Sequence, residues 1–247
     1  MIDFAPIFER HKLAALSFSG GKDSLACLWL LRDYWDKIDV VWCNTGDAFP
    51  ETRRLMHKVR QIVPRFVEVM TDVKYQNELW GWPVDLLPVR NHANVQAIMF
   101  PHQRQRLQSC IACCNENLWE PTMRSIEKSG ATMIIRGQKL VDVQRSPVRS
   151  GDLRMGFEFL MPVEDWTDRE VIDYVKRTPL GLPEHYEHMH TSLDCQHCTA
   201  HLFENIDKRR YMRQFHPAAY REVSNRLRLI NQECEKEHEH LMRAIRT

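Results

Sequence analysis

The chain has 247 residues and a formal net charge of +1, with 43% hydrophobic and 27% charged residues. This is the composition of a globular α/β protein with an appendage, and it excludes a global electrostatic field that attracts nucleic acid or acidic partners. No apolar run approaches the roughly 20 residues of a membrane span, and the N-terminus does not resemble a secretory signal. We therefore expect a cytoplasmic protein without membrane contact, whose eight cysteines stay reduced.

The first element is a glycine loop between a strand and a helix. An apolar run at Leu13–Leu16 leads into the string Ser17-Phe18-Ser19-Gly20-Gly21-Lys22-Asp23-Ser24, and an amphipathic run at Leu25–Leu31 follows. Glycines let an anion approach the backbone amides closely, and the helix N-terminus directs its N–H groups to the same place. The lysine adds a cation and the serines add hydroxyl donors. The loop is predicted to bind a phosphate or pyrophosphate, the alternative being an ordinary turn.

The next segments alternate between strands and helices. A second strand is predicted at Asp39–Cys43, a helix from Pro50 to about Ile62 and a third strand at Arg65–Val69. This order implies a parallel sheet with right-handed crossovers. Ligands of such sheets lie at the carboxyl ends of the strands, where the loops Ser19–Ser24 and Asn44–Phe49 are expected.

The second half of the chain is predicted in less detail. Residues 75–108 are interpreted as an irregular lid or substrate loop, and residues 138–157 as a basic, turn-rich segment. Beyond Ala200 the chain is helical, with one apolar stripe expected to pack against the body or a second copy. We therefore expect a nucleotide-binding domain at residues 1–200 and a helical C-terminal extension at residues 201–247. The other predicted elements are a helix at Glu116–Ser129, strands at Ala131–Ile135 and Phe159–Val163, and a helix to Lys176 that begins with Thr167 or Asp168 as its cap, with Glu170 able to complete a capping box.

Five cysteines fall in two short segments separated by about 80 residues: Cys110, Cys113 and Cys114, then Cys195 and Cys198. Four thiolates can enclose one zinc ion or one [4Fe–4S] cluster. Neighbouring cysteines suit a cubane better, because their side chains diverge and its iron atoms are separate. We predict that Cys113, Cys114, Cys195 and Cys198 bind a [4Fe–4S] cluster. The alternatives are zinc and unconnected buried thiols.

These motifs resemble those of a known family. The glycine string resembles the pyrophosphate loop (PP-loop) of the N-type ATP pyrophosphatases, which cleave ATP between the α and β phosphates. The cysteine spacing is similar to that of the adenylyl-sulfate branch of the phosphoadenylyl-sulfate (PAPS) reductase family. Three further stretches match that family: Asn44–Thr52, Pro162–Glu170 and Leu182–Thr199. The resemblance covers residues 13–200 and implies a parallel sheet flanked by helices, of the adenine nucleotide alpha hydrolase type.

The chain departs from the reductases in three places. Its PP-loop is whole, which favours ATP over adenylyl sulfate or PAPS. The reductases end in a Glu-Cys-Gly-Leu-His tail with a nucleophilic cysteine, whereas here Cys234 lies in a predicted helix between acidic residues that would raise its pKa. Asn115–Leu118 follows the cysteine pair, where the reductases have a basic residue.

Three functions remain open. The first is an ATP-dependent sulfurtransferase that adenylates a substrate oxygen, after which sulfur held at the cluster or as a persulfide on Cys110 displaces AMP. The closest relatives by motif would be the iron–sulfur PP-loop enzymes of tRNA thiolation and DNA phosphorothioation. The second is an adenylyl-sulfate or PAPS reductase that releases sulfite, and the third is a nucleotide-binding redox sensor. The sulfur donor or thiol reductant, the small-molecule or nucleic-acid acceptor and a possible homodimer are left open.

The resemblance and the chemistry of the side chains assign roles to individual residues. Lys22, Asp23 and Cys110 are the predicted catalytic residues, with Lys22 stabilising the pyrophosphate leaving group. Mg2+ would bridge the phosphates and face Asp23 or Asp47. His197 would tune the cluster. The predicted nucleotide-binding residues are Ser17, Ser19, Gly20, Gly21, Lys22, Asp23, Ser24, Asn44, Thr45, Gly46, Arg136 and Gly137. The candidates for gripping a sulfate, phosphate or nucleic-acid backbone are Lys139, Arg145 and Arg149, the alternative being a solvated basic loop.

Overall fold

A computed structural model describes residues 3–99, 104–142, 146–203 and 206–246. Contacts divide it into two compact units, each assembled from three stretches of the chain. These spatial units do not test the predicted division at residue 200. Unit 1 is Met1–Asn44, Phe49–Met70 and Glu120–Glu187, and unit 2 is Thr45–Ala48, Thr71–Trp119 and His188–Thr247, each within the described residues.

Strands and helices alternate along most of the chain. The strands are β1 (Ala14–Ser17), β2 (Ile38–Asn44), β3 (Phe66–Met70), β4 (Trp82–Val84), β5 (Leu107–Ser109), β6 (Met133–Ile135), β7 (Leu153–Arg154) and β8 (Phe157–Leu160). The α-helices are α1 (Ala5–Arg10), α2 (Lys22–Leu30), α3 (Pro50–Ile62), α4 (Val73–Trp80), α5 (Ala93–Met99), α6 (Cys110–Cys114), α7 (Glu120–Ser129), α8 (Asp168–Val175), α9 (Ile206–Phe215) and α10 (Pro217–Arg246). Short 3-10 helices span Arg32–Lys37, Val89–Asn91 and Glu184–Glu187, and a π-helical turn spans Asn115–Trp119.

Unit 1 contains a six-stranded sheet in the order β3-β2-β1-β6-β8-β7. All its neighbouring strands are parallel except β7, which pairs antiparallel with β8. The central strand β1 is apolar and buried at Ala14, Ala15 and Leu16, as expected where helices cover both faces of a parallel sheet. The predicted parallel sheet flanked by helices is confirmed.

The register of the sheet brings the predicted glycine loop and residues 136–137 to one edge of unit 1. Strands β1 and β6 are parallel neighbours, so the loop after Ser17 and the residues after Ile135 leave the sheet at the same end. Gly137 passes directly against the start of α2. A Cβ at Gly137 would lie 2.7 Å from the carbonyl carbon of Asp23 and 2.8 Å from the amide nitrogen of Ser24. Only glycine therefore permits this approach.

Unit 2 contains the segment that was predicted to be irregular. Residues 75–108 include most of α4, the two-stranded parallel sheet of β4 and β5, and α5, so that prediction is wrong. The cause is that both strands have only three residues, with Gly81 before β4 and Pro83 within it, which leaves no period to recognise.

The C-terminal helix α10 packs on the small sheet of unit 2. Ile230 joins Val84 and Leu107 in a buried apolar cluster, with Leu227 packed against it. The second half of the predicted stripe is exposed instead, at Leu241 and Ile245. Only the first half of the stripe therefore covers the body of its own unit. No described helix combines the length and the apolar character that crossing a membrane would require.

The other boundaries differ from the predictions by a few residues. The helix predicted from Glu116 starts as the π-helical turn, and the strand predicted at Phe159–Val163 is β8. Strand β7 lies within the predicted turn-rich segment, and α1 was not predicted. The capping box of α8 is present, with Thr167 and Glu170 exchanging side-chain-to-backbone hydrogen bonds.

We expect Gly81→Ala to destabilise the protein more than Gly130→Ala. Both glycines have positive φ, +93° and +76°, where a Cβ costs about 1–2 kcal/mol. A Cβ on Gly81 would also lie 2.1 Å from the carbonyl oxygen of Arg106, whereas one on Gly130 meets nothing within 4 Å. Overpacking adds about 1–3 kcal/mol. Chemical denaturation followed by circular dichroism measures both losses, and equal losses would contradict the described packing.

Candidate nucleotide loop and thiol cluster

The loop between β1 and α2 presents successive backbone donors. Gly20 has a φ of +80°, and a Cβ there would lie 2.9 Å from the terminal methyl of Met56. Three consecutive N–H groups each donate to a hydroxyl oxygen: Gly20 to Ser24 Oγ (3.1 Å), Gly21 to Ser19 Oγ (3.3 Å) and Lys22 to the Tyr186 hydroxyl (3.0 Å). Phosphate oxygens accept stronger, charge-assisted hydrogen bonds than hydroxyls do. The loop therefore has the donors that an anionic ligand needs.

A network of ion pairs around two buried lysines lies beside the loop. Lys22 Nζ contacts Asp23 Oδ2 at 2.8 Å and Asp168 Oδ1 at 2.9 Å. Lys139 Nζ contacts Asp23 Oδ1 at 2.7 Å, Asp142 Oδ1 at 2.8 Å and Asp168 Oδ1 at 3.3 Å. Burial alone would lower the pKa of Lys139, but its hydrogen bonds to Asp142 and Asp23 outweigh burial and raise it. Both lysines therefore form ion pairs with the same two carboxylates, Asp23 and Asp168.

This network changes the interpretation of Lys139. Its side chain is only 2% exposed, so it does not belong to a solvated basic loop. The other two predicted anion-binding residues are placed differently: Arg149 forms an ion pair with Glu164, and Arg145 lies outside the described residues. An anion-binding role for any of the three stays a prediction.

Arg136 carries a positive charge without a carboxylate partner among the described residues. Its backbone N–H donates to Leu160 O at 3.0 Å, which holds the residue beside β8. Burial lowers the pKa of the guanidinium, yet an arginine keeps its charge in proteins. A desolvated cation that precedes Gly137, against the start of α2, suits an anionic ligand. The side chain of Asn44 is engaged instead, donating to Glu68 Oε1 at 2.9 Å.

In unit 2, residues 45–48 are joined to the Cys-x-x-Cys segment. Asp47 Oδ1 contacts His197 Nδ1 at 2.7 Å, and Asp47 Oδ2 accepts from the His197 backbone N–H at 2.8 Å. Gln196 N–H donates to the Asp47 carbonyl oxygen at 2.8 Å, and Ala48 forms a β-bridge with Cys195. The hydrogen bond to Asp47 is the main cause that raises the pKa of His197. We call this set of contacts the Asp47 clamp.

Thr45 and Gly46, which precede Asp47 in the chain, were predicted to line the adenosine pocket. Thr45 Oγ1 lies 3.3 Å from Cys195 Sγ, and the Thr45 carbonyl accepts from Val73 N–H at 3.0 Å. Gly46 has a φ of +79°, which favours glycine at this turn. The Thr-Gly-Asp part of the stretch is thus positioned in unit 2 by the cysteine segment and by α4.

The predicted cluster ligands are grouped in unit 2. Burial raises the pKa of Cys113 and Cys114 to about 12, and the nearby Cys198 thiol raises both further. Burial also raises the pKa of Cys195 and Cys198, and the nearby Cys198 thiol raises the pKa of Cys195 further. Four such thiols do not ionise together without a cation, whereas a bound metal deprotonates them outright. The chemistry of this donor set therefore fits a metal ion or an iron–sulfur cluster.

Cys110 begins α6, the helix that also carries Cys113 and Cys114. A charge on Cys110 would raise the pKa of both. Cys27, by contrast, is a fully buried thiol of unit 1 that contacts the Arg136 carbonyl oxygen at 3.7 Å. The pKa of Cys234 is raised by burial first and then by Glu233 and Glu235, in the direction expected from its acidic neighbours.

Several residues at these sites received no role in the sequence analysis. Asp142 and Asp168 complete the lysine network, and the Tyr186 hydroxyl completes the loop. Lys208, 3% exposed, donates from Nζ to the Cys195 carbonyl oxygen at 2.9 Å, which places a buried positive charge beside the thiols. Tyr186 and Asp168 lie within the family-like stretches, which was the available signal. Asp142 and Lys208 lie outside those stretches, so the sequence offered no signal for them.

Comparison with known proteins identifies the family to which the chain belongs. Residues 14–201 match the model of the phosphoadenosine phosphosulfate reductase domain, and the chain belongs to this family. A phosphoadenosine 5'-phosphosulfate reductase of Xylella fastidiosa strain 9a5c is 28% identical over 193 residues, which cover 76% of this chain and 73% of that protein. The relative from strain M12 is 27% identical over 193 residues, which cover the same fractions of the two chains. The predicted family resemblance is confirmed, and membership supports an enzymatic activity.

Two solved structures are similar at low sequence identity. The PAPS reductase of Candida auris, in a phosphate complex, has a TM-score of 0.52 at 15% identity and covers 74% of this chain and 81% of its own. This likeness confirms the fold. The U34-tRNA thiolase NcsA of Methanococcus maripaludis, with its [4Fe-4S] cluster, has a TM-score of 0.42 at 16% identity over 88% of this chain and 72% of its own, which is too distant to bear on function.

We expect Asp47→Asn to destabilise the protein by about 1.5–3 kcal/mol near pH 6, the range for a hydrogen bond to a charged group, and by less near pH 9. Asp47 raises the pKa of His197 above 6.5. The stabilisation is therefore complete below the unfolded pKa and is lost as the pH rises through the raised folded pKa. Denaturant unfolding at both pH values measures the effect, with the exposed Asp36→Asn as control. An effect of the same size at both pH values would contradict the ion pair.

Proposed function

We propose that the protein binds ATP at the loop after β1, cleaves it to AMP and pyrophosphate, and uses a [4Fe–4S] cluster in transferring sulfur to an acceptor. The observation that carries the proposal is the complete loop, whose Gly20, Gly21 and Lys22 amides each donate to a hydroxyl oxygen beside two buried lysines that are paired with carboxylates. These are the groups needed to bind a pyrophosphate leaving group and to stabilise its developing charge.

The charge network supports a role for Lys22 in the cleavage step. Its ammonium group bridges Asp23 and Asp168, so its position is set before a nucleotide arrives. A triphosphate would compete with Asp168, whose side chain is 66% exposed, for the same ammonium group. Mg2+ entering with the triphosphate would find carboxylate oxygens, the ligands it prefers, in Asp23 and Asp168. Arg136 would pair with the negative charge of the nucleotide.

The grouped thiols support the second half of the proposal. Cys113, Cys114, Cys195 and Cys198 would hold the cluster, which when bound supplies a place to store sulfide or electrons. The buried Lys208 would offset part of the negative charge of the four thiolates. Sulfur carried as a persulfide on Cys110 would displace AMP from the adenylated acceptor, and a thiol would then reduce the resulting disulfide.

A second candidate function is favoured by the relatives. The Xylella fastidiosa proteins are named phosphoadenosine 5'-phosphosulfate reductases, so this chain would release sulfite from PAPS or adenylyl sulfate. The raised pKa of Cys234, with its acidic neighbours, weighs against that residue as the nucleophile such a reaction needs.

The two candidates are separated by supplying ATP, adenylyl sulfate and PAPS in parallel to the iron-loaded protein with a thiol reductant. We expect calorimetry to detect ATP binding and pyrophosphate to be the product. Lys22→Ala should weaken ATP binding by about 10–150-fold, because a hydrogen bond to a charged group is lost, without loss of iron. The exposed Lys128→Ala is the matched control. Sulfite release from either sulfated nucleotide, without pyrophosphate release from ATP, would overturn the proposal in favour of the reductase.

A further inference from the structure

Unit 2 contains a second group of potential metal ligands, in addition to the four cysteines. Asp85 follows β4, Cys110 begins α6, and His201 follows the Cys-x-x-Cys segment. One ligand atom of each residue lies within 4.8 Å of the other two. Three segments that are far apart in the chain therefore bring a carboxylate, a thiol and an imidazole together.

Backbone contacts hold the Asp85 carboxylate against the main chain of His201. Asp85 Oδ1 accepts from the His201 backbone N–H at 2.6 Å, and Oδ2 accepts from the Leu202 N–H at 2.9 Å. His201 itself has a φ of +57°, a conformation that is uncommon for a residue other than glycine. A carboxylate has about four lone-pair positions, so two backbone hydrogen bonds leave positions for a metal. The contacts act as outer-shell anchors of the kind that orient metal ligands.

We infer that Asp85, Cys110 and His201 form a zinc site with an open coordination position. Zinc accepts sulfur, nitrogen and oxygen ligands together, and three protein ligands plus an open position is its catalytic pattern. Magnesium and calcium prefer oxygen alone, and a carboxylate is a poor ligand for Cu(I). Tetrahedral zinc places its ligand atoms about 3.3–3.6 Å apart, so shifts of about 1 Å complete the site.

The zinc site stands on its own ligands and does not rest on the proposed sulfur transfer. His201 Nε2 also lies 3.7 Å from Cys114 Sγ, a predicted cluster ligand, so the competing interpretation is that His201 only supports the four-cysteine set. The two interpretations differ in the atoms around zinc: one sulfur with nitrogen and oxygen, or sulfur only. Zinc binds cysteine as a thiolate, which is also the nucleophilic form of the side chain.

The test adds zinc to the iron-loaded protein, removes the excess by gel filtration, and combines metal analysis with zinc X-ray absorption. We expect one zinc per chain, bound by one sulfur and by nitrogen and oxygen ligands, with the iron content unchanged. His201→Asn and Asp85→Asn should each lower zinc affinity by about tenfold or more, measured by competition with a chromophoric chelator. Asparagine suits the left-handed backbone at residue 201, and the exposed His190→Asn is the control.

Two results would overturn the inference. One is that the iron-loaded wild-type protein retains no zinc. The other is zinc surrounded by sulfur alone and retained equally by His201→Asn, which would place the metal among the four cysteines. Iron content and circular dichroism of each variant show that it has folded. A variant that loses zinc and retains iron, or loses iron and retains zinc, shows that the zinc site and the proposed cluster are distinct.

Discussion

The Asp47 clamp is the interaction on which the candidate site of unit 2 depends. One carboxylate accepts from both the ring and the backbone of His197, and so joins the residues that follow β2 to the segment carrying Cys195 and Cys198. Thr45 and Gly46, predicted to line the adenosine pocket, lie in the same short stretch as Asp47. A displacement of that stretch would therefore move the cysteine segment.

Both units place ionisable side chains beside groups of opposite charge. In unit 1, Lys22 and Lys139 are buried, and each is paired with more than one carboxylate. In unit 2, Cys113, Cys114, Cys195 and Cys198 have raised pKa values, and the buried Lys208 donates to the Cys195 carbonyl oxygen. Buried charges are costly unless they are paired. The lysines of the first group are already paired with carboxylates, whereas burial disfavours the ionised form of the thiols in the second group.

The sequence predicted the parts of this structure that depend on local chemistry. Glycines at a strand-to-helix turn predicted the loop, apolar strands predicted the parallel sheet, and Thr167 with Glu170 predicted the cap of α8. It did not predict contacts set by tertiary proximity. Lys139 and Asp23 are 116 residues apart, and no local pattern marks them as partners. The elements within residues 75–108 were missed because three-residue strands have no measurable period.

Mössbauer spectroscopy of the 57Fe-enriched protein, purified without oxygen, tests the central claim most directly. The account predicts a brown protein with about four irons per chain, whose spectrum is that of a [4Fe–4S] cluster held by four cysteine thiolates. Cys195→Ser should lose this signal, whereas Cys27→Ser, at a buried thiol of unit 1, should keep it. A colourless protein without iron, with one zinc bound by the same four cysteines, would contradict the account.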